Sequence, residues 1–390
     1  MWSGSFGTMQ PITPTQSGWL NLLRWVAAFL VCIEHVRVPL LADFSSAGHQ
    51  PWPVVLFYSL HGYGHSAVVV FFVLSGFLVG GEVVREYRNG VFRWRGYLAK
   101  RMARIYPVYL LALGLTWGLD TSGARLFEPL YHGEIVAPML RTDFAARLTP
   151  GIGFGNLLFL QEILVPPFGS NGPLWSLSYE AWYYVLFPLA VFSLFGKGSA
   201  LQRALSILAV GAIFWFVGNR IAWYFGIWLL GLLPVVFPRL MPKKIWIPAL
   251  CMLGILATAR LKQLPVDGFW VDFSLACAVV LFIGALGRHS IHVPGPKEFH
   301  RCLADFSYSL YLVHFPAALF LCAALHGVWG VPLRAMPVIA SFGTYAAVIV
   351  TVYLFAFAFS RLTEYHTPVF RRWLSKLFDP DTKYGKPTVP

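Results

Sequence analysis

Residues 20–41, LNLLRWVAAFLVCIEHVRVPLL, form an apolar run long enough to cross a bilayer as a helix. The run nevertheless carries Arg24, Glu34 and His35 inside it, with Arg37 near its end. Arg24 and His35 stand eleven positions apart, three helical turns plus about 20°. They therefore share one stripe with Ala28 and Val31 and lie about 16 Å apart along the axis. Ionisable groups at membrane depth cost about 2.5–3.5 kcal/mol each on the mildest scale, so a chain that keeps several there pairs them or uses them.

The rest of the composition agrees with a membrane setting. Of the 390 residues, 57% are hydrophobic and 12% charged, whereas a soluble domain is about a quarter charged. No soluble stretch is long enough for its own core, so one domain is expected, over 19–362 between cytoplasmic segments at 1–18 and 363–390. The net charge of +13 would suggest nucleic acid in a soluble protein, but here the positive-inside bias accounts for it. The five cysteines lie in or beside apolar segments without CxxC spacing, against zinc and disulfides alike. A charge-free start before a long first helix predicts no cleaved signal peptide.

Charge also orders the segments. Residues 85–104 hold seven Lys or Arg against one Glu and read as a cytoplasmic loop, with the N-terminus inside and the first helix running outward. The second span, near 66–84, contains FFVLSGFLVGG, where Gly76 and Gly80 allow a close helix contact. A third span follows at 105–119. The stretch 151–195 holds two apolar parts broken by Pro166, Pro167, Gly169, Gly172 and Pro173. If 151–165 is re-entrant, every later basic loop falls inside, with further spans near 177–195, 205–217, 222–237, 245–259, 269–286, 303–325 and 338–359. The expected fold is thus all-α and polytopic, with about ten transmembrane helices, or eleven if 151–165 crosses, and both termini cytoplasmic. The last dozen residues read as disordered.

Four stretches carry candidate chemistry. His35 leads, because a neutral imidazole can take a proton from a hydroxyl; Glu34 points about 100° away from it. In YLAKRMARIYP, Arg101 and Arg104 share a helix face beside Lys100, a geometry suited to a phosphate and equally to a positive-inside anchor. In NGPLWSLSYEAWYYVLFP, Asn171 or Gly172 can cap a helix, and Glu180 two turns in needs a cation, a histidine or a substrate hydroxyl. In DFSYSLYLVHFP, Asp305, Tyr308, Tyr311 and His314 recur every three residues as a polar seam that would line a cavity. The histidines of HGYGH, His61 and His65, have no third ligand nearby, and no metal is expected.

Taken together, these stretches resemble the acyltransferase 3 family of integral-membrane acyltransferases, in order as well as content. The resemblance runs from residue 20 to about 362: Arg24 and His35 with ten residues between; FFVLSGFL; Arg101 and Arg104 before IYP; WSLSYE; and YSLYLVHFP. It implies about ten core helices and an acyl-coenzyme A donor from the cytoplasmic side, acetyl in the simplest case. It also implies transfer to a hydroxyl on the other side of the membrane. By resemblance His35 is the catalytic histidine, Arg24 its motif partner, and Arg101 and Arg104 donor-phosphate contacts. Two departures stand out. Ala181 follows Glu180 where many members have a second Glu, and the residues after Asp379 leave no room for an appended hydrolase-like domain, so transfer is expected at the membrane domain itself.

The expected activity is an O-acyltransferase of a bacterial inner membrane acting on a carbohydrate or glycoside, with His35 as general base. Glu180 or Asp305 would orient the imidazole, while Tyr308, Tyr311 and His314 line the acceptor side. A transporter or flippase for a glycan or small acid is the alternative. Nothing in the sequence reads out the oligomeric state.

Overall fold

A computed structural model of the chain describes residues 12–44, 51–135, 137, 139–261, 268–289 and 291–378. Among the described residues there is no strand, only helices and two isolated bridge pairs. The first half runs α1 (Pro14–Leu40), α2 (Trp52–Ser59), α3 (Gly64–Ser75), α4 (Gly81–Arg88), α5 (Trp94–Leu126), α6 (Glu128–Tyr131), α7 (Pro150–Leu157) and α8 (Trp175–Phe195). The second half runs α9 (Ala200–Leu230), α10 (Leu233–Val236), α11 (Trp246–Leu261), α12 (Gly268–Leu286), α13 (Lys297–Asp305), α14 (Ser307–Trp329), α15 (Ile339–Leu362) and α16 (Thr367–Phe378).

Seven stretches among the described residues are long and apolar enough to cross a membrane: Pro14–Leu40, Trp52–Arg88, Trp94–Leu126, Ala200–Val236, Gly268–Leu286, Ser307–Trp329 and Ile339–Phe378. The chain is a multi-pass helical membrane protein. The spans expected at 205–217 and 222–237 fall in one of these stretches, Ala200–Val236, where α9 bends at Gly218, with φ of +78° that would strain a side chain, and α10 follows. The disordered tail expected over the last dozen residues lies outside the described ones.

Helix α1 starts ahead of the apolar run. Thr13 Oγ1 accepts from the Gln16 amide and Gln16 Oε1 from the Thr13 amide, each at 3.1 Å, with Pro14 in the first turn. The central helix is α14, packed against α1, α5 and α15, and α1 packs in turn on α3. Between α3 and α4 the chain widens into a π-turn, Gly76–Gly80. A Cβ on Gly76 would lie 1.9 Å from the Trp228 carbonyl oxygen, and one on Gly80 2.7 Å from Leu232 Cδ2. The close contact expected of these glycines is thus real, and its partner is the end of α9.

Segment 151–165 does not form a spanning helix. Helix α7 is 8 residues, about 12 Å, and the chain then turns back. Irregular backbone at this depth survives only where its polar groups are satisfied inside the protein. Asn156 does much of this, donating to the Ile152 and Pro166 carbonyls at 2.9 Å each and accepting from the Phe168 amide at 3.1 Å. Asp120, fully buried on α5, accepts from the Ser170 amide and hydroxyl at 2.6 and 2.7 Å. Asn171 stands at the N-cap of the 3-10 turn Gly172–Leu174 that leads into α8, but its side chain makes no cap bond; its amide donates to Thr116 Oγ1 at 3.1 Å and the Leu312 carbonyl at 2.8 Å, tying the segment to α14. Asn156→Leu, close in size but unable to bond, is expected to lower the detergent-solubilised protein's stability by about 1–3 kcal/mol, read as a fall in thermal midpoint.

At the far end of α1, Arg334 bridges the chain. Its guanidinium donates to the Val38 and Leu41 carbonyls at 3.1 and 3.0 Å and to Asp43 at 2.6 Å. Partial burial pushes the Asp43 carboxyl up, but the Arg334 hydrogen bond and charge, with that of Arg37, bring it below its ordinary value. A depressed carboxylate stabilises the fold above its unfolded value of about 4, and that contribution is lost as pH falls through the lower folded value. Asp43→Asn is therefore expected to flatten the thermal midpoint's dependence on pH below about 4.

Candidate active site

One cavity of about 560 Å³ gathers most of the candidate residues. Arg24 lines it from α1, Lys100, Arg101 and Arg104 from α5, Glu180 from α8, Asp305 from the end of α13, and Tyr308 and Tyr311 from α14. These side chains come from five helices and more than 280 positions of sequence. His35 and His314 do not line the cavity, but the Tyr311 ring, which does, is centred 6.0 Å from that of His314.

His35 and His314 form a pair. Nδ1 of His35 lies 2.7 Å from Nε2 of His314, and the rings are parallel within 4° with centroids 5.0 Å apart. Nδ1 of His314 lies 2.9 Å from the Tyr311 carbonyl and 3.1 Å from that of Leu310. A carbonyl only accepts, so His314 Nδ1 carries the proton; its Nε2 is then bare and accepts from His35 Nδ1–H. That leaves Nε2 of neutral His35 with a free lone pair. Ala28 and Val31, on the same stripe of α1, are 2% exposed, whereas His35 and Arg24 are part-exposed.

Neither carboxylate expected to orient the imidazole does so. Glu180 accepts a short hydrogen bond from Tyr184, one turn on, and Tyr184 lies 3.3 Å from Ser75 Oγ. Asp305 is separated from the rest of its expected seam by a break at Phe306, so it ends α13 while Tyr308, Tyr311 and His314 ride on α14. Its carboxylate is 68% exposed and 4.0 Å from Arg301. His314, the last residue of that seam, lies against His35 and off the cavity wall. Glu34 turns away, as expected, and accepts from the Gly64 amide at the start of α3. Tyr311 donates to the Pro173 carbonyl at 2.9 Å and lies 2.6 Å from Ser176 Oγ.

The cationic end is already partnered. Lys100 bonds Glu82 at 2.8 Å and Glu86 at 2.7 Å, and Arg101 bonds Glu82 at 2.6 Å. Arg104 forms an ion pair with Glu364 at 2.9 Å. Arg24 and Arg371, both lining the cavity, make no hydrogen bond or ion pair among the described residues. Glu364, Thr367 and Arg371 lie beyond the expected domain edge at 362, yet they form part of the cavity wall because α16 folds back onto α5. The amphipathic pattern of TPVFRRWLSKLF was the available signal for this helix. No group of His, Cys, Asp and Glu among the described residues is arranged to hold a metal ion.

A bundle of apolar helices around a cavity that is cationic at one end and leads towards a histidine pair at the other defines the chain as a membrane protein with a built polar interior. The acyltransferase domain family matches residues 17–374, and the chain belongs to that family. An O-acetyl transferase of Shigella phage Sf6 is 23% identical over 321 residues, covering 80% of this chain and 87% of that protein. The O-acetyltransferase OatA of Staphylococcus aureus is 26% identical over 293 residues, 66% of this chain and 46% of OatA. The acyltransferase MdmB of Streptomyces mycarofaciens is 32% identical over 173 residues, 44% of this chain and 38% of MdmB. The chain thus spans less than half of the latter two proteins. No solved structure matches it.

Proposed function

We propose that the chain is an O-acyltransferase, in the simplest case an O-acetyltransferase. It takes the acyl group from acyl-coenzyme A at the basic end of the bundle and passes it to a hydroxyl of a cell-envelope or exported glycan. The observation that carries this reading is the single cavity that joins Lys100, Arg101 and Arg104 to Tyr311, next to the His35–His314 pair. The basic end faces the cytoplasm of a bacterial cell, where acyl-coenzyme A is made. Its phosphates compete with Glu82 and Glu364 for Arg101 and Arg104, while Arg24 and Arg371 are already available. The acyl end points inward past Tyr308 to Tyr311.

His35 Nε2 is the general base. It takes the acceptor hydroxyl's proton as that oxygen attacks the thioester carbonyl; the C–O bond forms, the C–S bond breaks, and the proton passes to the departing thiolate. His314 acts as a positioning residue, fixing the tautomer that leaves Nε2 bare. Purified protein in detergent, given radiolabelled acetyl-coenzyme A, is expected to bind it saturably in both wild type and His35→Ala. Only the wild type should pass label to glycan. Absence of saturable binding in the wild type would remove the donor assignment.

A further inference from the structure

A second cavity, of about 910 Å³, opens at the opposite end of α3 from the basic loop. His65 lines it from the first turn of α3, Arg220, Trp223 and Tyr224 from just past the Gly218 bend, and Trp270 and Asp272 from the start of α12. Neither His65 nor Asp272 nor Tyr224 has a part in the donor cavity. Here they form one network around a residue that is 5% exposed: Asp272 Oδ2 accepts from Tyr224 at 2.6 Å and from His65 Nε2 at 2.7 Å. A carboxylate in an apolar helix start is costly, and two bonds to one oxygen hold it in place without using the other. Oδ1 takes no hydrogen bond among the described residues.

The two cavities almost meet. Phe72 lines the first and Tyr224 the second, and their ring centroids are 5.9 Å apart. Trp175 spans the same gap, stacked on His65 at 6.0 Å and edge-on to Phe72 at 6.1 Å. A single layer of aromatic rings therefore separates the wall of the donor cavity from this second space. Around it stand Trp223 and Trp270, 60% and 54% exposed. Arg220, 67% exposed, pairs loosely with Glu162 at 3.7 Å and lies over the Trp175 ring at 5.9 Å.

This combination fits one chemistry. A sugar ring presents C–H faces that stack on aromatic rings and a rim of hydroxyls that pair with a carboxylate, an imidazole or a guanidinium. A phosphate or other anion would meet the Asp272 carboxylate. We propose that this cavity anchors the acceptor glycan through a neutral sugar residue stacked on Trp223 or Trp270, with hydroxyls bonded to Asp272 Oδ1 and Arg220, while the hydroxyl to be acylated, on a neighbouring sugar, reaches His35. The proposal rests on the O-acyltransferase reading and assigns a substrate class and a place to its acceptor.

The test compares host cells lacking their own copy and supplied with wild type, Trp223→Ala/Trp270→Ala, or Asp272→Asn. Alkali-labile acetate is measured in total carbohydrate, cell-bound and secreted, and acetyl-coenzyme A affinity is measured on each purified protein. Both variants are expected to lose at least tenfold in carbohydrate acetate while their Kd for acetyl-coenzyme A stays within twofold of wild type. Trp223 and Trp270 are more than half exposed but pack on Phe269, so the donor Kd reports whether the fold survives their removal, and Asp272→Asn keeps the shape. Wild-type acetate in both variants overturns the site, as does parallel loss of acetate and donor binding. A wild type that binds acetyl-coenzyme A yet adds no acetate to carbohydrate overturns the acceptor reading beneath it.

Discussion

His35→Ala is expected to abolish acyl transfer while leaving the protein inserted, folded and able to bind acyl-coenzyme A. A positioned base is worth about 10²–10⁴ in rate, so the residue's loss should dominate every other single substitution. The informative companion is His314. If its task is to accept the His35 Nδ1 proton and so keep Nε2 bare, a side chain with a carbonyl in the same place will serve in part. His314→Gln is expected to lower kcat by about tenfold, whereas His314→Leu should fall close to His35→Ala, with KM for acyl-coenzyme A unchanged in both. A purely structural His314 would lose stability in both variants without this ordering. Equal activity in the Gln and Leu forms, with equal stability, would remove the tautomer argument.

The pairing behind that prediction was not legible in the sequence. The stripe from Arg24 through Ala28 and Val31 to His35 could be read because it lies within one helix, where a period of 3.6 fixes which residues share a face. His35 and His314 are 279 positions apart, and no periodicity reports which helices touch. The DFSYSLYLVHFP seam was legible in part, since Asp305, Tyr308 and Tyr311 line the cavity and His314 does not. Its three-residue spacing presumed one helix, yet the chain breaks at Phe306 with neither Gly nor Pro to announce it. The re-entrant turn over 151–165 could be expected from charge bookkeeping and the cluster of Pro and Gly. The side chains that make it tolerable, Asn156 and Asp120, looked like ordinary polar residues until their partners were known. Glu364 was hidden by its neighbourhood, since a carboxylate among basic residues after the last long apolar run reads as solvated.

That hidden carboxylate makes the second large effect. Glu364 has a side chain 5% exposed and is held by Arg104 at 2.9 Å and by the Ser309 amide and hydroxyl at 3.1 and 3.0 Å. Arg104 is itself 40% exposed, so the pair's own attraction is screened and contributes little. Removing the cation is another matter, because the buried charge stays behind. Arg104→Ala is expected to cost about 3–5 kcal/mol of stability, seen as a large fall in thermal midpoint in detergent. Arg104→Ala/Glu364→Ala should recover most of that loss, since no charge is then stranded. Acyl-coenzyme A binding should not recover with it. If Arg104 also contacts a donor phosphate, the double variant lacks a charge-assisted bond worth about 1.5–3 kcal/mol, about 10–100-fold in Kd. Stability and affinity would then separate in a single double-mutant cycle, the first following the Glu364 charge and the second following the Arg104 cation. A double variant that binds acyl-coenzyme A as tightly as wild type would confine Arg104 to holding the turn before α16 against α5, and the donor's phosphates would have to rest on Arg24, Lys100, Arg101 and Arg371.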